Sequence, residues 1–355
     1  MSPTQNQELP RRQILIGDVR TRLADLPDAS VHSVITSAPY FGLRDYGHQD
    51  QIGAEATVDE WADAITSVCA DLSRVLRPDG ALFLNLGDGY SRHQHEGATR
   101  KSLLLGPERV AWQLTKSGWF LRNKIIWAKR NPMPFSGTDR LSTTHEYIYF
   151  FSRQPDYFFD LDAIREPLAS EASQPKHRRI MRSHYPPRTA VPSLGGGTAP
   201  RVDLNQGLAA MKADGREGHP LGKNPGDVWT LATASYRGAH FATFPLELVR
   251  RPLLAACPER ACAACGAAWR HAEQVIDGRA LALGPLRPTC NCRAGWQPGV
   301  VLDPFMGAGT VALAAEQLAR DWVGIELNPD YAALANQRLA DWRAQQRPAA
   351  EHENA

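Results

Sequence analysis

Short, continuous apolar runs alternate along the chain with longer stretches in which apolar residues recur every three or four positions. Runs at 14–16 and 31–36 predict strands; the first ends in Gly17-Asp18 and the second passes directly into Ser37-Ala38-Pro39-Tyr40. Over 59–76, Trp61, Ile65, Val68, Leu72 and Val75 fall on one helical face. Arg77-Pro78-Asp79-Gly80 is expected to stop that helix before a strand at 81–86, which ends at Gly87-Asp88. Helices are expected at 108–117 and 244–256, the second with Pro245 at its start, and strands at 124–127 and 147–151. Near the end, strand 299–303, helix 310–318 and strand 322–327 form a βαβ unit, followed by a helix at 329–345. This alternation predicts an α/β fold with a mostly parallel sheet covered on both faces.

The pattern breaks after Pro167. Between Leu168 and Pro225 nine Lys or Arg face only four acids in a stretch rich in Gly, Pro and Ser. The whole chain has a net charge of only +2, so a basic face here is offset elsewhere. A chain of 355 residues with 43% hydrophobic residues can bury a sizeable core, in one large domain with insertions or in two. No apolar run reaches bilayer length and residues 1–12 carry no apolar signal segment, so a cytoplasmic protein without a membrane partner is expected. Cys69 lies inside the helix predicted over 59–76 and Cys257 near a helix end, both suited to core positions. Cys262-x-x-Cys265 and Cys290-x-Cys292 are two pairs 25 positions apart, a spacing that suits a structural zinc ion with four thiolate ligands.

The most informative stretch is Asp303-Pro304-Phe305-Met306-Gly307-Ala308-Gly309-Thr310. A strand delivers Asp303, two glycines permit close approach of a ligand, and a helix begins near Thr310. Glu326 follows 23 residues after Asp303, the spacing at which an acid holds the ribose hydroxyls of an adenosine cofactor. Gly307, Gly309 and Ala312 also satisfy the relaxed dinucleotide fingerprint, so spacing alone leaves NAD open.

The Asp-Pro-Phe lead-in resembles the S-adenosylmethionine motif of amino-group DNA methyltransferases, and Thr36 to Tyr40 resembles that family's Ser/Asp-Pro-Pro-Tyr catalytic motif. The catalytic motif precedes the cofactor motif, the circularly permuted order of the beta group. Similar stretches cover most of residues 14–165 and 227–340. The resemblance implies a Rossmann-like S-adenosylmethionine-dependent methyltransferase sheet. Its catalytic half would span 1–166 and its target-recognition insertion 167–226. Its cofactor-binding half would span 227–346, leaving a tail at 347–355; within that half the cysteine spacing suggests a small zinc-ribbon-like insertion at 257–297.

It further implies that Asp18, Phe241, Thr243, Phe244, Asp303, Phe305, Gly307, Gly309, Thr310, Glu326 and Asn328 form the cofactor site. Ser37 and the carbonyl of Ala38 would accept hydrogen bonds from the target amino group, with Pro39 completing the turn and Tyr40 stacking on the flipped base. Ser rather than Asp at position 37 favours cytosine N4 over adenine N6. Ala38 stands where the family has proline, which predicts reduced rate because proline would fix φ. The alternatives are an adenine-N6 enzyme, or a weakly active or non-catalytic DNA-binding variant. Double-stranded DNA is the expected partner, contacted by Arg178, Arg179 and Arg182 of the insertion and by Arg44 and Lys129 near the catalytic motif. The chain is expected to act as a monomer or homodimer.

Overall fold

The computed structural model describes residues 8–45, 47–48, 51–167, 221–233, 244–276 and 279–346. It divides into a large unit, Met1–Ala163 with Gly226–Ala355, and a small one, Ile164–Pro225. In the small unit, Glu166 and Lys223 exchange backbone hydrogen bonds of 3.0 and 2.8 Å.

The strands of the large unit begin with β1 (Gln13–Ile16), β2 (Val31–Ser37), β3 (Leu76–Leu86), β4 (Phe120–Lys129), β5 (His145–Ser152) and β6 (Val228–Leu231). Six short strands follow: β7 (Ala261–Cys262), β8 (Arg270–His271), β9 (Gln274–Ile276), β10 (Arg279–Leu281), β11 (Leu286–Arg287) and β12 (Trp296–Gln297). The last two are β13 (Val300–Asp303) and β14 (Asp321–Glu326). The helices are α1 (Val19–Arg22), α2 (Val58–Val75), α3 (Gly106–Lys116), α4 (Leu246–Ala256), α5 (Thr310–Gln317) and α6 (Pro329–Gln346).

Eight strands form one sheet in the order β1-β14-β13-β2-β3-β5-β4-β6. Only β5 runs against the others. Residues of the central strands point alternately to two apolar layers, which explains their unbroken hydrophobic runs. Val34, Leu82, Leu84, Leu302 and Ile325 pack with Trp61, Ile65 and Leu72 of α2 and Val110 and Leu114 of α3. Ile35, Phe83, Val301 and Trp322 pack on the other side with Val249 and Leu253 of α4, Val311 and Ala315 of α5, and Leu339 of α6. Helix α2 begins at a reciprocal capping box: Thr57 accepts from the Glu60 N–H and Glu60 accepts from the Thr57 N–H. Cys69 and Cys257 are buried in these two layers, as their sequence surroundings predict.

One expectation is corrected. Residues 77–80 do not separate α2 from the next strand; Leu76 leaves the helix already extended and β3 starts there. Val31 pairs with Leu76 and Ser33 with Ala81, so the residues between are absorbed as an irregularity within the strand.

Among the described residues no helix is long and apolar enough to cross a membrane. Strands β7–β12 form three nested antiparallel pairs, β7 with β12, β8 with β11 and β9 with β10.

The sheet also fixes where a ligand can enter. After β13 the chain moves to β14 on one side, whereas after β2 it moves to β3 on the other. The crevice beyond the carboxyl ends of β13 and β2 is therefore a topological switch point, where open α/β sheets bind their ligands.

Candidate active site

A cavity of about 490 Å³ opens at that switch point. Its wall carries Ser37, Ala38, Pro39 and Tyr40 from the end of β2, and Phe305, Gly307, Ala308 and Thr310 from the loop between β13 and α5. Glu326, at the end of β14, and Asp18, just beyond β1, complete the same rim.

At the turn after β2, the side chains are braced rather than loose. Ala38 is buried, and Trp61 Nε1 donates to the Pro39 carbonyl at 2.9 Å. The Tyr40 ring lies against Gly87, where a Cβ would stand 2.5 Å from a ring carbon; only glycine leaves room there. The Tyr40 hydroxyl donates to Glu146 Oε2 at 2.7 Å and lies 3.4 Å from Ser37 Oγ. Asn85 Nδ2 and Lys129 Nζ also donate to the Glu146 carboxylate, at 3.3 and 2.6 Å. Ser37, Tyr40, Asn85, Glu146 and Lys129 are thus one connected polar group on the cavity wall.

The glycine loop is held from beneath. Asp303 is buried; its Oδ1 accepts from Thr36 Oγ1 at 2.7 Å and from the Phe305 N–H at 3.1 Å, while Oδ2 has no partner. Burial pushes its carboxyl up to about 7 against the lowering effect of these two donors. Gly309 caps α5 with φ +74°, a conformation L side chains rarely adopt. Glu326 accepts from the N–H groups of Gly307 and Asn328, at 2.7 and 2.9 Å. Burial raises its pKa, and these N–H groups lower it in part.

These features fit an adenosine cofactor. A carboxylate stands beside a glycine loop with open space over Gly307, and Phe305, Ile325 and Leu327 supply an apolar wall.

Of the residues selected from sequence, Asp18, Ser37, Ala38, Pro39, Tyr40, Arg44, Lys129, Phe244, Phe305, Gly307, Thr310 and Glu326 line the cavity. Asp303, Gly309 and Asn328 do not. Asp303 and Gly309 are buried beneath the loop, and the Asn328 N–H donates to Glu326 Oε1 at 2.9 Å. The Asp18 side chain accepts from the Arg20 N–H and pairs with the Arg20 guanidinium, so it is already engaged as a helix cap. Lys129 is half-buried in the cavity wall and paired with Glu146. Phe241, Thr243, Arg178, Arg179 and Arg182 lie outside the described residues. Sequence reading missed Glu146 altogether. Its only signal is polarity at the start of an otherwise apolar strand, His145-Glu146 before Tyr147-Ile148-Tyr149.

The model of the N6/N4 DNA methylase family matches residues 31–337. The chain belongs to this family. It is a DNA methyltransferase that takes its methyl group from S-adenosylmethionine. Among its relatives, the Type II methyltransferase M.XycI of Xanthomonas campestris pv. cyanopsidis is 32% identical, over 91% of this chain and 86% of that protein. The Type II methyltransferase M.Cfr9I of Citrobacter freundii is 30% identical, over 94% and 89%. The solved structure of the PvuII DNA methyltransferase, titled cytosine-N4-specific, has the same fold, with a TM-score of 0.51 and 18% identity over 98% of this chain and 89% of that one.

The buried carboxyl gives a pH test of the cofactor loop. Burial holds the folded Asp303 carboxyl at about 7, well above its ordinary value, so the folded state keeps its proton to higher pH than the unfolded state. Its contribution to stability is full below the unfolded pKa and is lost as pH rises through the folded one. In urea unfolding of the cofactor-free methylase, the Asp303 contribution to stability should fall by on the order of 4 kcal/mol across that window. Asp303→Asn should lack this component. An identical pH dependence in the two proteins would show that Asp303 does not titrate there.

Proposed function

We propose that this methylase modifies the exocyclic N4 of a cytosine flipped out of duplex DNA, within a specific sequence. One observation carries the reading: Ser37, at the catalytic turn, and Gly307 with Glu326, at the cofactor loop, share the wall of a single cavity. A bound target base and a bound cofactor would meet there without either leaving its strand end.

Bound S-adenosylmethionine supplies an electrophilic methyl group; the protein's residues must orient the nitrogen and dispose of its proton. An exocyclic amino group is a poor nucleophile because its lone pair is delocalised into the ring. Ser37 Oγ and the Ala38 carbonyl, accepting from its two N–H groups, localise the lone pair and aim it. Tyr40 stacks on the base with its ring while its hydroxyl stays on Glu146. The proton released on nitrogen passes to Ser37 Oγ, the Ser37 proton passes to Tyr40, and the Tyr40 proton passes to Glu146. Lys129 offsets the negative charge that Glu146 carries before it receives the proton.

Asp18, Phe244, Phe305, Gly307, Thr310 and Glu326 would contact the cofactor directly, with Asp303, Gly309 and Asn328 holding the loop in shape. Glu326 would accept from the ribose hydroxyls. The side chain at 37 supports cytosine over adenine, because this family's adenine enzymes favour Asp there. The relatives' designation as Type II methyltransferases supports a place beside a restriction enzyme of the same specificity.

Expression in a host lacking this modification, followed by nucleoside analysis of its DNA, should yield N4-methylcytosine. N6-methyladenine would overturn the base assignment, and no modified base of either kind would support a non-catalytic descendant. Ala38→Pro should raise kcat, since proline narrows the conformations of the catalytic turn; equal rates would show that the Trp61 brace already suffices. Glu146→Gln should lower kcat on the order of 100-fold or more with cofactor affinity unchanged, the scale of a lost proton acceptor. An unaltered kcat would remove Glu146 from the chemistry.

A further inference from the structure

The cysteine module takes no part in methyl transfer, and none of its residues lines the cavity. The sulfurs of Cys262, Cys265, Cys290 and Cys292 nevertheless lie within 4.8 Å of one another. Four thiolates around zinc at about 2.3 Å stand about 3.8 Å apart, so a small contraction completes a tetrahedron. All four cysteines are free of disulfides, and Cys265 and Cys292 are exposed, which leaves an entry path for an ion. The strands around them are two or three residues long and cannot hold a fold by pairing alone.

We propose that these four cysteines hold one structural zinc ion, and that the loaded knuckle clamps the amino-terminal ends of β2, β3 and β13. Two side chains make the clamp. His32, buried in β2, donates from Nε2 to the Gly266 carbonyl at 2.9 Å and accepts the Val300 N–H on Nδ1 at 3.0 Å. One neutral tautomer therefore joins the knuckle, β2 and β13. Arg77, in the irregular start of β3, donates to the Cys265 carbonyl at 2.8 Å and pairs with Asp79 at 2.9 Å. The fit is close: Gly266 has φ +69°, and a Cβ there would stand 2.5 Å from Arg77 Nη1. An ion that fixes residues 262–266 thereby fixes two backbone carbonyls on which the strand ends hang. Ser37 is at the opposite end of the same strand as His32, so the clamp holds the far end of the catalytic strand.

Metal analysis of the intact protein, purified without chelator, should find one zinc per chain. Cobalt exchanged into the site should give the visible spectrum of a tetrahedral tetrathiolate, and Cys265→Ser with Cys292→Ser should abolish both signals. Substoichiometric zinc, iron in its place, or disulfides among the four cysteines would overturn the metal site. Hydrogen exchange then tests the clamp with zinc bound. Arg77→Ala should keep its zinc yet exchange amides at 31–33 and 76–81 at least about tenfold faster, with α6 unchanged. Asp79→Asn, which spares the knuckle contact, should exchange like the parent. Equal exchange in Arg77→Ala and the parent, or acceleration by Asp79→Asn to the same extent, would overturn the clamp while leaving the metal assignment standing.

Discussion

Thr36 donates a hydrogen bond to Asp303 across 267 positions of sequence, inside the protein, at 2.7 Å. Both residues are almost wholly buried. The bond sits where the sheet is most lightly paired. β13 and β2 share only two rungs, Val301 with Ser33 and Leu302 with Val34, whereas β13 and β14 share four. Beyond those rungs the two strands part, and that parting is the crevice in which the cavity forms. A side-chain bond just past the last rung fixes the turn after β2 relative to the glycine loop after β13. Methyl transfer is acutely sensitive to that distance, since misplacement of about 1 Å can cost on the order of a hundredfold in rate.

The cofactor loop inherits its shape from the same point. Asp303 accepts the Phe305 N–H, Glu326 accepts the Gly307 N–H, and the Met306 N–H donates to the Ile325 carbonyl. The Met306 side chain enters the space above Gly324, where a Cβ would stand 1.9 Å from its sulfur. Three consecutive hydrogen-bond anchors and one tightly filled contact leave the loop little freedom before any ligand arrives. Preorganisation of this kind removes ordering cost from the binding step. The unpartnered Asp303 oxygen and the burial of Glu326 are what such a rigid loop costs in polar groups without ligand.

Much of this was legible in the residues. The helical face of α2 and the order of strand, glycine loop, helix and acid were readable because each rests on local periodicity or fixed spacing. The two cysteine pairs were readable for the same reason, and the structure brings all four sulfurs together. What escaped depends on contacts distant in sequence. No local rule marks Glu146 as a cavity residue, because its partners Tyr40, Asn85 and Lys129 arrive from three other strands or turns. Lys129 was readable as a basic residue near the Ser37–Tyr40 motif, but its pairing with Glu146 was not, since that contact depends on the pairing of β4 with β5. The expected break at 77–80 failed because strand pairing outside the local sequence can absorb a Pro-Asp-Gly segment that would otherwise end an element.

The Glu146–Lys129 pair has an energetic signature that separates chemistry from scaffolding. Its side chains are 15% and 23% exposed, so both charges have lost much of their water. Desolvation of such a pair offsets much of its attraction, and an apolar pair of similar size would usually serve stability as well or better. Stability alone therefore gives no reason to place two charges on the wall of a cavity otherwise rich in Pro39, Trp127, Phe305 and Met306. The position of the carboxylate gives one. It holds the Tyr40 hydroxyl, and through it reaches the Ser37 hydroxyl at the end of β2, while Lys129 pairs with its other oxygen. A carboxylate held in this way can receive a proton from the catalytic turn without moving. Replacing the pair by apolar residues would keep the cavity and lose that capacity.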